Sequence, residues 1–196
     1  MHDQAILDVL ATDADLAEVI WQVCRFTPVR ARNGMDEDYR LTSGLPLTSV
    51  AGDYTGGSFF LCGEPAPIRP VLYASSEGSA GVIGYGLTEA LEIMSGLPSW
   101  HDCLSFSGGG NIEVMRATLV SQLRAGPAAS AAGENWESAT RTLSFDFAPP
   151  EMLLRRLHAA MWTTSPGYEL LCDGKPFEPT LFGPLDRPRM SAPPRP

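Results

Sequence analysis

Short apolar runs separated by turn residues lie between positions 46 and 96 of the chain. The runs span residues 47–51, 58–62, 69–74 and 80–83, the last being the weakest. Asp53 and the pair Gly56-Gly57 stand between the first two runs. Because an Asp side chain accepts hydrogen bonds from nearby backbone N–H groups and Gly adopts positive φ, these residues are typical of a hairpin turn. The pattern predicts an antiparallel meander.

Apolar residues recur at three-to-four spacing on both sides of these runs, which is typical of amphipathic helices. We predict helices over residues 3–25, 87–94, 112–124 and 151–162. Three polar side chains stand at helix starts, and we assign them as N-caps: Thr12, Thr88 and Asn111. A cap at Thr12 would start a second helix within the first stretch. Residues 3–25 therefore fit either one long helix or two short ones.

The remaining segments carry shorter patterns. Residues 27–45 are polar and contain turn residues, so we expect a surface connection. Leu143, Phe145 and Phe147 alternate with polar residues, which indicates a short strand. Asp173-Gly174 is expected to turn a hairpin between two apolar runs.

These elements predict an α+β fold in which a central antiparallel β-sheet, the meander, packs against helices. The length of 196 residues and the hydrophobic content of 44% suit one domain. We assign residues 1–183 to it, with residues 46–96 as its core and residues 111–183 as a C-terminal helical extension. Whether the extension packs on the sheet or forms a separate lobe stays open. The Pro-rich residues 184–196 are expected to form a flexible tail.

The composition argues against several classes of partner. With 23 acidic and 14 basic residues the net charge is −9, whereas nucleic acid binding requires a basic surface. No stretch reaches the roughly 18 consecutive apolar residues of a membrane span. The N-terminus carries acidic residues where a secretory signal carries basic ones. We therefore expect a cytoplasmic protein with a protein partner, without nucleic acid or membrane, and leave homo-oligomerisation open.

No metal or cofactor site is indicated by the sequence. The 4 cysteines are isolated, without a CxxC pair, and the histidines form no HxH or HxxxH pair. Glycine-rich stretches at residues 84–86 and 107–111 precede predicted helices but lack the motifs of phosphate-binding loops. We therefore assign no metal ligand and no cofactor.

The strongest candidate for catalysis is the tripeptide His101-Asp102-Cys103, which holds the residue types of an activated thiol nucleophile. Adjacent residues on an extended or turning segment point apart, so this adjacency argues against a working triad. We expect a loop beside a helix with one partly buried cysteine. No catalytic residue is assigned, and the chain is predicted not to be an enzyme.

The stretch from residue 47 to residue 94 resembles the core of the SUKH superfamily, the Smi/Knr-like domains. The resemblance is a succession of strand, glycine-containing hairpin, strand, strand and helix, carried by residues 51–61, 70–77 and 87–94. Asp53 with Gly56-Gly57 matches the first hairpin of that pattern. Ser76-Glu77 matches the turn that closes its third strand.

The chain departs from this family pattern at several places, and the region beyond Gly110 has no counterpart in it. Trp21 lacks the glycine that follows the tryptophan near the family's start. In the family the third strand commonly ends in an aromatic residue followed by Asp or Asn and then His. Here the corresponding residues are Tyr73-Ala74-Ser75-Ser76. The resemblance implies an α+β domain with a central antiparallel sheet. It also implies a non-enzymatic role, commonly that of a bacterial immunity protein that binds and neutralises a toxin domain.

We therefore predict a non-enzymatic protein-binding domain of Smi/Knr type, with a toxin-neutralising immunity protein as the leading example. Turn acids and aromatic residues are the candidates for contacts with the partner: Asp53, Tyr54, Tyr73, Glu77, Tyr85 and Trp100. The alternative is a small-molecule-binding protein or an enzyme that uses the loops around Asp53, Glu77 and His101. A cavity joining those three residues would favour this alternative. A third hypothesis is a scaffold module without one dedicated partner.

Overall fold

A computed structural model describes residues 2–28, 38–97, 99–125, 133–145 and 148–184. The helices in this part of the chain are α1 (Asp3–Thr12), α2 (Ala14–Cys24), α3 (Leu87–Gly96), α4 (Trp100–Ser105), α5 (Ile112–Ala125), α6 (Gly133–Thr142) and α7 (Pro150–Met161). The strands are β1 (Tyr39–Leu41), β2 (Leu47–Gly52), β3 (Ser58–Cys62), β4 (Val71–Ala74), β5 (Ala80–Gly84), β6 (Leu170–Cys172) and β7 (Lys175–Pro176). Antiparallel sheets pack against helices, which confirms the predicted α+β class. The tail beyond Pro184, predicted to be flexible, lies outside the described residues.

The predicted meander is a four-stranded antiparallel sheet in the order β2-β3-β4-β5. Each strand pairs with the next along the chain, and Ser58 at the start of β3 lies opposite Ala74 at the end of β4. Because successive strands alternate in direction, the turns at residues 53–57 and 75–79 emerge from the same end of the sheet. This shared end is where the candidate site forms.

A second sheet has the order β1-β6-β7. The predicted hairpin at Asp173-Gly174 is confirmed, and φ values of 50° and 76° at these residues fit a type I′ turn. β1 pairs with β6, so the prediction of a plain connection over residues 27–45 is wrong there. A strand of 3 residues with a distant partner leaves no local pattern in the sequence. Residues 29–37 of that connection lie outside the described residues.

The two faces of the meander are covered by different layers. Phe59 in β3 contacts the core beneath α1, α2 and α3, whereas Phe60 points to the opposite side. That opposite side packs against the second sheet through Leu41 and Leu170. Helix α7 packs beside β5. Because both faces are covered, every residue of β3 is buried.

The N-terminal stretch forms two helices, and their junction lies one residue beyond the predicted one. The Asp13 carboxylate accepts a hydrogen bond from Leu16 N at 2.9 Å and caps α2. Thr12 is the last residue of α1, and its hydroxyl donates to Asp8 O at 3.0 Å. Thr12 therefore finishes the first helix and does not cap the second. The predicted cap Asn111 is confirmed, since its Oδ1 accepts from Glu113 N at 3.0 Å.

The short strand predicted around Leu143 is wrong. Helix α6 precedes this residue, and Leu143 N continues the helical pattern with a hydrogen bond to Ala139 O of 2.9 Å. Both side chains are buried, at the four-residue spacing of one helix face. Three alternating apolar positions are too few to separate a strand from the end of a helix. Phe147, which belonged to the prediction, lies outside the described residues.

Candidate functional site

The Asp53 side chain organises the turn between β2 and β3. Its Oδ1 accepts hydrogen bonds of 2.8 Å from Thr55 N, Thr55 Oγ1 and Gly57 N. The backbone closes the same turn, since Asp53 N donates to Gly57 O at 2.9 Å. These bonds are the turn chemistry that the sequence predicted for an Asp followed by glycines. They also hold the carboxylate in the folded core, where it is only 3% exposed.

Tyr73 on β4 ties this turn to the sheet. Its phenolic oxygen donates to Asp53 Oδ2 at 2.8 Å, and the side chain is buried. Gly57 lies so close that a Cβ at this position would stand 2.5 Å from the Tyr73 hydroxyl. The turn therefore requires glycine at position 57 to let the two strands and the hydroxyl approach one another.

The contacts of Asp53 and Tyr73 shift their pKa values in opposite directions. Burial alone would raise the pKa of the Asp53 carboxyl, but the hydrogen bonds from Thr55, Tyr73 and Gly57 outweigh it and lower the pKa. The pKa of the Tyr73 hydroxyl is raised, first by burial and then by the Asp53 carboxylate that it binds. At neutral pH the pair is therefore a carboxylate and a neutral phenol.

An aromatic cluster continues from Tyr73 onto α4. The rings of Trp100 and His101 stack with centroids 3.5 Å apart, and both lie edge-on to the Tyr73 ring. The His101 side chain is exposed at the cleft, but the rings packed against it desolvate the imidazole and lower its pKa, while the carboxylates of Asp53 and Asp102 act in the opposite direction. Since the net shift is downward, the imidazole is predominantly neutral at pH 7.

A cleft of about 930 Å³ opens above this cluster. Its walls are the turns at residues 53–57 and 75–79, helix α4, and residues 178–184, which we term the C-terminal strap. Five of the six predicted contact residues line it, namely Asp53, Tyr54, Tyr73, Glu77 and Trp100. His101 of the alternative hypothesis lines it as well. The structure thus places Trp100 and His101 of α4 beside the two turns, a contact that the sequence did not predict.

The lining residues divide into walls and accessible side chains. Three of the predicted residues among them are buried and form walls of the cleft with little surface accessible to a ligand: Asp53, Tyr73 and Trp100. Tyr54 is 65% exposed, and Glu77 is also exposed. These two are therefore the predicted residues best placed to touch a bound molecule from solvent.

Tyr85 is not brought to the cleft. It lines a separate cavity of about 270 Å³ together with Asp3, Thr88 and Glu89. Its hydroxyl lies 3.4 Å from Ala159 O on α7. Thr88, predicted as the cap of α3, lies inside the helix, and its buried hydroxyl has no hydrogen-bond partner among the described residues.

The C-terminal strap was not anticipated as part of the site. Glu178 N donates to Gly78 O at 2.8 Å, which holds the start of the strap beside the turn at residues 75–79. Gly183 N donates to Leu104 O at 2.9 Å, which fixes its other end against α4. A Cβ on Gly183 would stand 1.7 Å from Ser105 O. Gly183 was the available sequence signal, but an isolated glycine does not reveal which backbone it approaches.

Arg25 is a second lining residue that sequence reasoning missed. It ends α2 in the left-handed conformation with φ of 57°. Its guanidinium lies over two rings, 5.5 Å from the Trp21 centroid and 5.7 Å from the Tyr54 centroid. These distances are those of cation–π contacts. The residue carries no motif, and only the packing of α2 beside the first hairpin places it at the cleft.

The tripeptide His101-Asp102-Cys103 lies on α4 and not in the predicted loop. His101 faces the cleft, whereas Asp102 accepts a hydrogen bond from Gln122 Nε2 at 2.9 Å. Cys103 is fully buried and not partly buried as predicted, and burial together with Asp102 raises its pKa to about 11. The three side chains do not converge, which agrees with the argument from adjacency.

Within residues 2–28, 38–97, 99–125, 133–145 and 148–184, no group of three or more His, Cys, Asp or Glu side chains could hold a metal ion. In the same ranges no helix has the length and apolar character needed to cross a membrane. Comparisons of this chain with protein-family models, with curated proteins and with solved structures find no match.

Proposed function

We propose that this chain is a non-enzymatic protein-binding domain and that its recognition site is the cleft. The observation that carries the proposal is the convergence of Tyr54, Glu77 and the C-terminal strap around one opening. An exposed tyrosine beside charged rim residues is the composition found at protein-binding hot spots. The cleft is bounded by the two turns, the end of α2, helix α4 and the C-terminal strap, so it presents a defined shape to a partner.

The contacts at the base of the cleft favour binding over catalysis. The Asp53 carboxylate accepts hydrogen bonds from the turn and from Tyr73, so its oxygens serve the fold. The Cys103 thiol is buried and has a raised pKa, the opposite of an activated nucleophile. The Asp53 bonds therefore hold the turn that lines the cleft, and the Cys103 thiol, which does not line it, supplies no nucleophile.

The resemblance to Smi/Knr-like domains specifies the kind of partner. On that basis the chain is an immunity-type protein of the cytoplasm, and the partner is a toxin domain. The net charge of −9 supports association with a basic protein, because complementary charge accelerates encounter. The resemblance thus suggests a toxin domain as the partner, and the cleft is the proposed binding site for it on this chain.

Site-specific photo-crosslinking in cells that express the partner tests this proposal. A benzophenone amino acid replaces exposed Ser76 at the cleft, and a matched variant carries it at exposed Val120 on α5. We expect one adduct of defined mass from position 76 and none from position 120. Substituting Tyr54 by Ala should reduce the adduct. Equal crosslinking from both positions, or none from position 76, would refute the proposal.

A second candidate function is the binding of a free small molecule in the cleft. The supporting observation is that the cleft joins Asp53, Glu77 and His101, with a volume inside the range of roughly 300–1,000 Å³ that small-molecule sites occupy. Native mass spectrometry of the chain purified from its own cells tests this candidate. A stoichiometric bound mass that disappears in a Tyr54→Ala, Glu77→Gln variant would establish it in place of the protein partner.

A further inference from the structure

We propose that the cleft receives a basic side chain, arginine or lysine, from the partner protein. This inference rests on the proposed function and specifies the chemistry of recognition.

The rim of the cleft carries two carboxylates from distant parts of the sequence. Glu77 lies in the turn between β4 and β5, and Glu178 begins the C-terminal strap. The two segments are adjacent, because Glu178 O accepts from Ala80 N at 2.9 Å and Glu178 N donates to Gly78 O. Both side chains are exposed. Neither forms a salt bridge within the described residues.

The lining residues carry more negative than positive charge, since Asp53, Glu77 and Glu178 stand against one basic side chain. Arg25 is the one arginine or lysine among the described lining residues, and its guanidinium lies over the rings of Trp21 and Tyr54. His101 is exposed, and desolvation by the rings packed against it lowers its pKa, so the imidazole is predominantly neutral at pH 7. The ionised Asp53 carboxylate lies behind the rim. The cleft therefore keeps a negative potential that attracts a cation and repels an anion.

The aromatic lining suits the same class of ligand. The Arg25 guanidinium already lies over the Tyr54 ring, so the partner's cation is expected nearer to the two carboxylates and the other rings. Phe182 of the C-terminal strap and the His101 ring add further lining from the other walls. Guanidinium and ammonium groups bind well where carboxylates and ring faces occur together. At about 930 Å³ the cleft has room for an extended side chain and the backbone that carries it.

A peptide titration of the full chain, followed by ¹H–¹⁵N NMR, tests the inference. The probes are three blocked pentapeptides of identical length, Gly-Arg-Gly-Arg-Gly, Gly-Gln-Gly-Gln-Gly and Gly-Glu-Gly-Glu-Gly. We expect saturable shifts with the arginine peptide at amides of residues 53–57, 75–79 and 178–184. The glutamine and glutamate peptides should produce no saturable shifts there. Raising the salt concentration should weaken the arginine peptide's binding, because screening acts on exposed charges.

Charge-neutral variants identify the groups responsible. Glu77→Gln and Glu178→Gln are each expected to weaken the arginine peptide roughly three- to fivefold, and the double variant about tenfold. Glu64→Gln is the matched control, because Glu64 is exposed, undergoes the same change and lies outside the cleft. It should leave the affinity unchanged. Amide spectra of all variants report whether the fold is retained.

The outcomes separate this inference from the proposed function. Equal binding of the arginine and glutamine peptides, or an equal effect of Glu64→Gln and Glu77→Gln, would overturn the choice of a basic side chain. If crosslinking from position 76 persists in that case, the cleft still binds a protein by other chemistry. Loss of both results would end both proposals.

Discussion

The carboxylate of Asp3 caps α3 at Leu87, a residue 84 positions away in the sequence, by accepting a hydrogen bond of 2.8 Å from Leu87 N. The other oxygen, Oδ2, accepts from Arg69 N at 2.6 Å. Asp3 is only 1% exposed. One buried side chain thus joins α1, the segment before β4 and the start of α3. This contact compensates for Gly86, the N-cap residue of α3, which has no side chain to cap the helix.

Replacing Asp3 by Ala should therefore destabilise the fold. Two buried backbone N–H groups would lose their acceptor, and we expect a loss of about 2–3 kcal/mol in the free energy of unfolding. Urea unfolding measures this loss. The control is Asp8→Ala, an exposed position on the same helix, which should change stability by less than about 0.5 kcal/mol. Similar losses in the two variants would contradict the capping role.

Removing the Tyr73 hydroxyl should weaken the turn that it anchors. In Tyr73→Phe the Asp53 Oδ2 loses the donor at 2.8 Å, and we expect a loss of about 1–2 kcal/mol near neutral pH. Tyr54→Phe is the control, since that side chain is 65% exposed. Chemical unfolding of both variants measures the difference. Comparable effects would show that the buried hydrogen bond contributes nothing specific.

The same variant should change the response to acid. A carboxyl whose folded pKa is lowered contributes stability that is present above its unfolded pKa of about 4 and lost as the pH falls through the folded pKa. Because Tyr73 is one of the groups that lower the pKa of Asp53, Tyr73→Phe should lose less stability than the wild type between about pH 4 and pH 2. Parallel pH profiles would contradict this assignment.

His101 should titrate below the usual range of histidine. Desolvation by the Tyr73 and Trp100 rings lowers its pKa, so an NMR titration of the ring proton should give a midpoint under about 6.5. The Asp53 carboxylate opposes this shift. Asp53→Asn should therefore lower the midpoint further, provided that the amide spectrum shows a retained fold. A midpoint that rises in the variant would have the wrong sign.

Gly57 should not tolerate a side chain. A Cβ there would stand 2.5 Å from the Tyr73 hydroxyl and 2.8 Å from Asp53 Oδ2, so Gly57→Ala should cost roughly 1–3 kcal/mol through overpacking. Gly167→Ala is a suitable control, because the nearest atom to its added Cβ is Thr163 O at 3.6 Å. Thermal unfolding of the two variants tests the contrast. Equal stability of the two variants would show that the turn accommodates a Cβ at position 57 without loss of folding free energy.

Much of the fold follows from local patterns in the sequence. The meander was predicted because turn residues and apolar runs alternate over short distances, and the Asp53 turn was predicted because its bonds span only four residues. The grouping of Tyr54 with Glu77 follows from the same order, since alternate turns of an antiparallel sheet share one end. The helices α3, α5 and α7 were predicted from apolar residues at three-to-four spacing, which is also a local pattern.

Tertiary structure alone decided the features that depend on contacts between distant segments. Leu87 receives its cap from Asp3, and Glu178 reaches the cleft because its strap binds beside Gly78. Such contacts follow from how layers pack, and no local pattern encodes which remote segment fills a given surface. Burial is decided in the same way, which is why Trp100 became a wall of the cleft while Tyr54 stayed exposed. The sequence thus determined which local elements form, and packing between layers determined which side chains a partner can reach.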